Sequence, residues 1–95
     1  MKKVIVRSRD AGVLYGDLVK VKGTTVTLQN AVQMWRWQAS EGGTLIDVAA
    51  SGVKQAGCKF SVKSAKIKVL NACAVIECTK EAYVSLQSVD GGDWS

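Results

Sequence analysis

Short runs of β-branched and apolar residues alternate with turn residues over the first 38 positions, and this pattern limits the fold more than any other feature. Residues 3–9 are rich in Val and Ile, and Asp10-Ala11-Gly12 supplies the residues of a turn. Further strands are predicted over residues 13–21, 24–29 and 32–38, with turns at Lys22-Gly23 and Asn30-Ala31. Gly16, inside the second strand, indicates a bulge or the close approach of another backbone. The sequence therefore predicts a four-stranded antiparallel meander.

The second half of the chain mixes helices and strands. A polar break at residues 39–43 precedes Thr44, which can cap a short helix that Gly52 ends, and Thr79 can begin a final helix. Strands are predicted over residues 57–62 and 65–70, and the apolar run 72–78 is typical of a buried, central strand. The expected fold class is mainly β (α+β): a small antiparallel sheet or partly open barrel with one or two short helices.

Chain length favours one domain. Ninety-five residues are enough for a single compact core and too few for two. We expect a β-rich domain over residues 1–89 and a flexible C-terminal tail over residues 90–95, which contain two glycines and two aspartates. No apolar run approaches the roughly 20 residues that a membrane span requires, so a soluble protein without membrane contact is expected.

The residue types that the familiar catalytic sites require are missing. The chain has no histidine, so Ser or Cys nucleophiles lack their usual base. Its three cysteines, Cys58, Cys73 and Cys78, include no C-x-x-C pair, and they indicate a reducing, cytosolic setting. No phosphate loop is present, and the carboxylates lie mainly at turns and helix starts. We therefore expect a binding protein, not an enzyme, with no metal and no cofactor.

The charge balance favours anionic partners. Thirteen Lys and Arg against eight Asp and Glu give a net charge of +5. Such an excess draws phosphate-bearing ligands without specifying which ones. The alternative is a charge that serves solubility alone.

Trp35-Arg36-Trp37 is the most unusual local feature. Alternation along a strand would send both indoles to one face of the sheet and the guanidinium to the other. Indoles stack on nucleobases, and neighbouring cations can bind phosphates. The competing interpretation is that the two tryptophans fill the core, because large aromatic residues are found in protein cores more often than in ligand sites.

Four other residues are candidates for the same site, and each can be interpreted either as a ligand-binding residue or as an ordinary core or surface residue. Arg7 and Arg9 share one face of the first strand, Tyr15 lies beside Gly16, and Lys59 begins a basic series along a later part of the sheet. Tyr15 is more readily explained by partial burial, and most lysines by a solvated surface. The predicted ligand-binding set is Arg7, Arg9, Tyr15, Trp35, Arg36, Trp37 and Lys59.

The order of several short motifs resembles a family of small tailed-phage proteins. The motifs are Val6-Arg7-Ser8, Ala11-Gly12-Val13 with Gly16, Asn30-Ala31 before Trp35-Arg36-Trp37, Gly52-Val53, and Cys58-Lys59-Phe60-Ser61. The likeness extends to about Ala82. In this chain Val32-Gln33 stands where basic residues are expected before the tryptophans.

The resemblance implies a phage origin and action in the host cytoplasm. A small, oligomer-forming phage protein with an aromatic, basic surface is similar to the anti-CBASS sponges, which sequester the cyclic nucleotide signals of bacterial immunity. What it implies is a homo-oligomer that captures a cyclic di- or oligonucleotide without cleaving it. Two alternatives stay open: a small β-barrel that binds single-stranded nucleic acid through the same residues, and a phage protein that inhibits a host protein partner.

Overall fold

A computed structural model of the chain describes residues 1–89, which form one antiparallel sheet with two helices. The elements are β1 (Lys3–Ser8), β2 (Gly12–Lys22), β3 (Thr25–Arg36), α1 (Leu45–Ser51), a 3-10 turn (Gln55–Gly57), β4 (Lys59–Phe60), β5 (Ser64–Val69), β6 (Ala72–Glu77) and α2 (Lys80–Gln87). The predicted fold class is confirmed as a mainly β sheet with two short helices, and the sheet does not close into a barrel. The predicted tail, residues 90–95, lies outside the described residues.

The sheet runs in the order β4, β3, β2, β1, β6, and β5 pairs separately with β3. Its first three strands form a meander of three strands, so the prediction of four was wrong. The predicted turn at Asn30-Ala31 is a bulge inside one long strand, because the pairing shifts register between Tyr15 opposite Val32 and Asp17 opposite Gln29. Asn30 takes the left-handed conformation, with φ 51°, that such a bulge accommodates.

Gly16 lies opposite this bulge, as the sequence suggested. A Cβ at this position would lie 3.0 Å from the carbonyl oxygen of Gln29 and 3.1 Å from the Cα of Ala31. Only a residue without a side chain lets the two backbones approach this closely.

The strand β6 lies at the edge of the sheet, so the prediction of a central, buried strand was wrong. Among residues 1–89 it pairs with β1 alone, and its residues alternate between half-buried and exposed, with Val75 41% exposed. Three of its six residues, Ala72, Cys73 and Ala74, are small, and the larger Ile76 is half-buried. The strand predicted over residues 57–62 is reduced to Lys59–Phe60, because Gln55–Gly57 forms a 3-10 turn just before it.

Both helix starts were predicted correctly. The side chain of Thr44 accepts a hydrogen bond from the amide of Asp47 and caps α1, while Thr79 caps α2 by accepting from the amide of Ala82. None of the helices among residues 1–89 is long and apolar enough to cross a membrane.

Alternation along the strands builds a core on each face of the sheet. On β1, Ile5 points to the face that the helices cover, and Val4 and Val6 point to the other. The helix-side core consists of Ile5, Val13, Tyr15, Val32, Met34, Ala39, Val48, Ala49, Val53, Phe60, Tyr83 and Leu86. The opposite core consists of Val4, Val6, Leu14, Val26, Leu28, Ala31 and Val69. Both cores share β1, β2 and β3, so neither can be assembled alone.

Candidate functional site

A wide groove lies where the end of β1, the start of β2 and the end of β3 meet the start of α1. Its volume is about 1590 Å³. Four of the seven residues predicted to bind a ligand line it: Arg7, Arg9, Trp35 and Trp37. Arg7 lies on β1, Arg9 in the turn that follows β1, Trp35 on β3, and Trp37 just after β3.

The arginines form one wall of the groove. Arg7 lies near the end of β1, paired with Val13 on one side and Ala74 on the other, and Arg9 lies in the turn just beyond the strand. The hydroxyl of Ser8 accepts hydrogen bonds from the amides of Asp10 and Ala11, both 3.3 Å long. These bonds hold the turn that carries Arg9 in one conformation.

The same turn is also tied to the connection between β5 and β6. Ser8 Oγ donates to the carbonyl of Leu70 at 2.7 Å, and Asn71 Nδ2 donates to Asp10 Oδ2 at 2.9 Å. Among residues 1–89, neither Arg7 nor Arg9 forms an ion pair. The backbone that carries Arg7 and Arg9 is therefore tied to its neighbours, while their exposed guanidinium groups have no carboxylate partner in the described part of the chain.

Trp35 sits in a bulge, which changes the predicted geometry of the Trp-Arg-Trp segment. Met34 pairs with Phe60 and Arg36 pairs with Lys59, so Trp35 is the extra residue between them. The strand ends at Arg36, and Trp37 follows it. Strict alternation therefore does not hold across the three residues, although both tryptophans line the groove.

The two tryptophans have different surroundings. Trp35 is 61% exposed, and the ammonium of Lys59 lies 5.8 Å from its ring centroid in a cation–π contact. Trp37 is half-buried and packs against the helix-side core. The hypothesis that both tryptophans are core residues therefore does not fit Trp35.

The start of α1 forms a further wall, through Thr44, Leu45 and Ile46. It is fixed by a capping box in which Asp47 Oδ2 accepts hydrogen bonds from the amides of Thr44, at 2.9 Å, and Gly43, at 3.0 Å. These bonds lower the pKa of the Asp47 carboxyl, those from Thr44 contributing most. The carboxylate thus occupies the amides that a bound anion would otherwise use.

Two further residues at the groove were not predicted. Gln33, at a position where basic residues were expected, donates from Nε2 to the carbonyl of Ala11 at 3.0 Å and so joins β3 to the turn after β1. Cys73 is exposed, and its thiol donates to the carbonyl of Arg7 at 3.3 Å. No pattern in the sequence singles out either residue, since both depend on which strands become neighbours.

Tyr15 lies away from the groove, in the helix-side core, where it is only 3% exposed. Its hydroxyl donates to the carbonyl of Leu86 at 3.4 Å, and its ring meets Tyr83 edge-on with centroids 5.5 Å apart. Burial raises its pKa to about 12. These contacts are those of a core tyrosine, as partial burial of the ring led us to expect.

Arg36 and Lys59 do not line the groove either. Arg36 is exposed at the end of β3, and Lys59 approaches the site only through the ring of Trp35. Within residues 1–89, no three His, Cys, Asp or Glu side chains lie close enough together to hold a metal ion. The chemistry that the groove offers is hydrogen bonding, aromatic stacking and positive charge.

Comparison with known proteins identifies one family. Residues 1–86 match DUF6948, described as a domain of unknown function. No curated protein and no solved structure matches the chain.

Proposed function

Because the chain belongs to the DUF6948 family, a domain of unknown function, we propose its function from the groove itself. The protein binds a cyclic di- or oligonucleotide there and sequesters it without cleaving it. The observation that carries this proposal is the lining of one groove by Arg7 and Arg9 together with Trp35 and Trp37.

These residue types complement the two parts of a nucleotide. Aromatic side chains that stack on bases contribute about 1–3 kcal/mol per base in single-strand binders. A guanidinium can bind a phosphate through two parallel hydrogen bonds. Arg7 and Arg9 therefore serve the phosphates, and the exposed ring of Trp35 serves a base.

The size of the groove favours a ligand larger than a mononucleotide. Its volume of about 1590 Å³ exceeds the roughly 300–1,000 Å³ of ordinary small-molecule pockets. A cyclic di- or oligonucleotide repeats the base and phosphate units that the lining complements. A ring of two or more nucleotides is thus the ligand class that uses the whole groove.

Sequestration is preferred to cleavage because four of the five hydroxyl, thiol and carboxyl side chains in the lining already have structural partners. Ser8 and Cys73 donate to backbone carbonyls, Asp10 accepts from Asn71, and Thr44 belongs to the capping box. Groups held in this way position a backbone and a binding surface. We assign them no role in moving a proton or attacking a ligand.

The biological setting of the proposal comes from the resemblance to small tailed-phage proteins. It comprises immune evasion in the host cytoplasm, by an anti-CBASS sponge that acts as a homo-oligomer. The mass of the protein in solution tests the oligomer, and a monomer that binds the ligand tightly would restrict the proposal to a single-chain groove.

Isothermal titration calorimetry against a panel of cyclic di- and trinucleotides tests the ligand class. We expect saturable binding of at least one member and weaker binding of the corresponding linear nucleotide. The bound ligand should be recovered intact after heating the complex. Absence of heat with every member, for protein shown to be folded, would refute the proposal, and recovery of a linear product would refute sequestration.

Single substitutions locate the site. Trp35→Ala should weaken binding by about 5- to 150-fold, which corresponds to the 1–3 kcal/mol of one stacked base. Arg7→Gln should weaken it through the lost phosphate contact. Lys54→Gln, an exposed position outside the groove that removes the same charge, is the matched control and should bind as the unmodified protein does.

A further inference from the structure

A second basic surface lies on the helix-side face of the sheet, beyond the area that the helices cover. Lys20 of β2 pairs with Thr27 of β3, which pairs in turn with Lys68 of β5, so both lysines lie on one face in one cross-strand row. In the neighbouring rows, Lys66 pairs with Gln29 and Lys22 pairs with Thr25. We call Lys20, Lys22, Lys66 and Lys68 the lysine face.

These four lysines lie close together without compensating charge. Strand geometry places Lys66 and Lys68 about 7 Å apart along β5, and Lys20 about 10 Å from Lys68 across two strand spacings. All four are exposed, and none forms an ion pair with another residue in the range 1–89. Asp17, the acidic residue in these rows, is already paired with Lys3. Because the separations match the Debye length of about 8 Å at physiological ionic strength, their repulsion is only partly screened.

We propose that the lysine face binds the phosphate backbone of a nucleic acid. Its charges are spaced so that one polyanion can neutralise several of them and release their counterions. In these rows the lysines are separated by half-buried Thr25 and Gln29, which can hydrogen-bond to phosphate and sugar, and by Thr27, which is buried. These rows contain no aromatic ring, so the binding is independent of base sequence.

The lysine face and the groove are separate sites. None of the four lysines lines the groove, and the sequence placed a nucleic-acid site on the aromatic residues instead. The pairing of β5 with β3 brings Lys66 and Lys68 beside Lys20, which lies more than forty positions earlier in the chain. Nucleic-acid binding and nucleotide capture can therefore succeed or fail independently.

Fluorescence anisotropy with labelled oligothymidylate and with a labelled duplex, at salt concentrations from about 50 to about 200 mM, tests the proposal. For a single strand bound by four lysines, the logarithm of affinity should fall against the logarithm of salt with a slope of about −2.8. Lys66→Gln with Lys68→Gln should weaken binding and bring the slope to about −1.4, and Lys20→Gln alone should change it by about 0.7. The duplex should bind as well, with a steeper slope of about −3.6 for the same four lysines.

The control is Lys54→Gln with Lys80→Gln, which removes the same net charge from exposed positions outside the lysine face. It should keep the slope of the unmodified protein. Equal changes in both double variants would overturn the proposal, because net charge alone would then explain the binding. The proposal would equally be overturned if neither probe bound. Binding to phosphatidylserine vesicles by a protein that binds neither nucleic-acid probe would show that the lysine face recognises a membrane instead. The far-UV circular dichroism and thermal midpoint of each variant confirm that it is folded.

Discussion

Tyr15 shows how a single residue can be assigned to the core or to a ligand by experiment. Its hydroxyl donates to the carbonyl of Leu86, and its ring packs between Tyr83 and Phe60. We expect Tyr15→Phe to lower the free energy of unfolding by about 1 kcal/mol, the usual value of one hydrogen bond, and to leave ligand affinity in the groove unchanged. Urea denaturation and calorimetry measure the two effects. A loss of affinity in a fully folded Tyr15→Phe protein would contradict the core assignment.

Asp17 should make the free energy of unfolding depend on pH in the acidic range. Burial acts to raise the pKa of its carboxyl, but hydrogen bonds from Lys3 and Asn30 outweigh this and hold the pKa below its usual value of 3.8. A carboxyl with a depressed folded pKa contributes stability that is present above the unfolded pKa and is lost as the pH falls through the folded pKa.

Asp17→Asn should therefore be less stable than the unmodified protein at pH 7, by about 1–3 kcal/mol, and this difference should shrink as the pH falls below 3.8. Thermal unfolding over a pH series measures it. Glu41→Gln, at an exposed position, controls for the loss of one negative charge. A difference between Asp17→Asn and the unmodified protein that stayed constant across the series would show that this carboxyl does not carry the effect.

For single residues, the sequence shows which side chains have suitable chemistry for a ligand, but it does not show which residues they contact. Arg7, Arg9, Trp35 and Trp37 are noticed because cationic and aromatic side chains suit a nucleotide, and all four line one groove. Gln33 could not be predicted, because its role depends on the carbonyl of Ala11, which lies 22 positions away.

Among the elements, the bulge at Asn30 of β3, opposite Gly16 of β2, depends on that glycine. A Cβ added to Gly16 would lie 3.0 Å from a backbone oxygen and 3.1 Å from a Cα, neither of which can move aside cheaply. Gly16→Ala should lower the free energy of unfolding by about 1–3 kcal/mol, as overpacking does. Gly43→Ala, where an added Cβ meets nothing within 4 Å, is the control and should change it by less than about 0.5 kcal/mol. Equal stability of the two variants would show that the backbones at the bulge separate freely.

Helices and strands were predicted well where neighbouring residues determine where they begin, and poorly where their position depends on pairing with a distant strand. Thr44 and Thr79 start helices through their own side chains, so their signal is contained within a few residues. Asn30-Ala31 was predicted to separate two strands, but the left-handed conformation that Asn30 adopts is used in a bulge as well as in a turn. An apolar run such as residues 72–78 fits a central strand and an edge strand alike, and only the free edge of β1 decides where β6 lies.

For the whole molecule, one sheet with a core on each face implies cooperative unfolding. Val26, in the opposite core, is 1% exposed, and Val48, in the helix-side core, is fully buried. Because both cores use β1, β2 and β3, loss of either should remove support from the other. We expect Val26→Ala and Val48→Ala each to lower the free energy of unfolding by about 1.5–3 kcal/mol, the value of two buried methyl groups with some cavity cost.

Both variants are made in a Trp94→Phe background, so that the fluorescence comes from Trp35 and Trp37 of the groove. The transition followed by this fluorescence should coincide with that followed by far-UV circular dichroism, which reports on the whole sheet. The pair also links stability to function. Val48 lies in α1, whose start lines the groove, so Val48→Ala should leave ligand affinity intact as long as unfolding remains a single transition. Separate transitions in Val48→Ala would show instead that α1 melts before the sheet, and ligand binding should then shift only the earlier transition. That result would make the groove a locally unstable part of the molecule, whereas coincident transitions require that the ligand stabilise both cores at once.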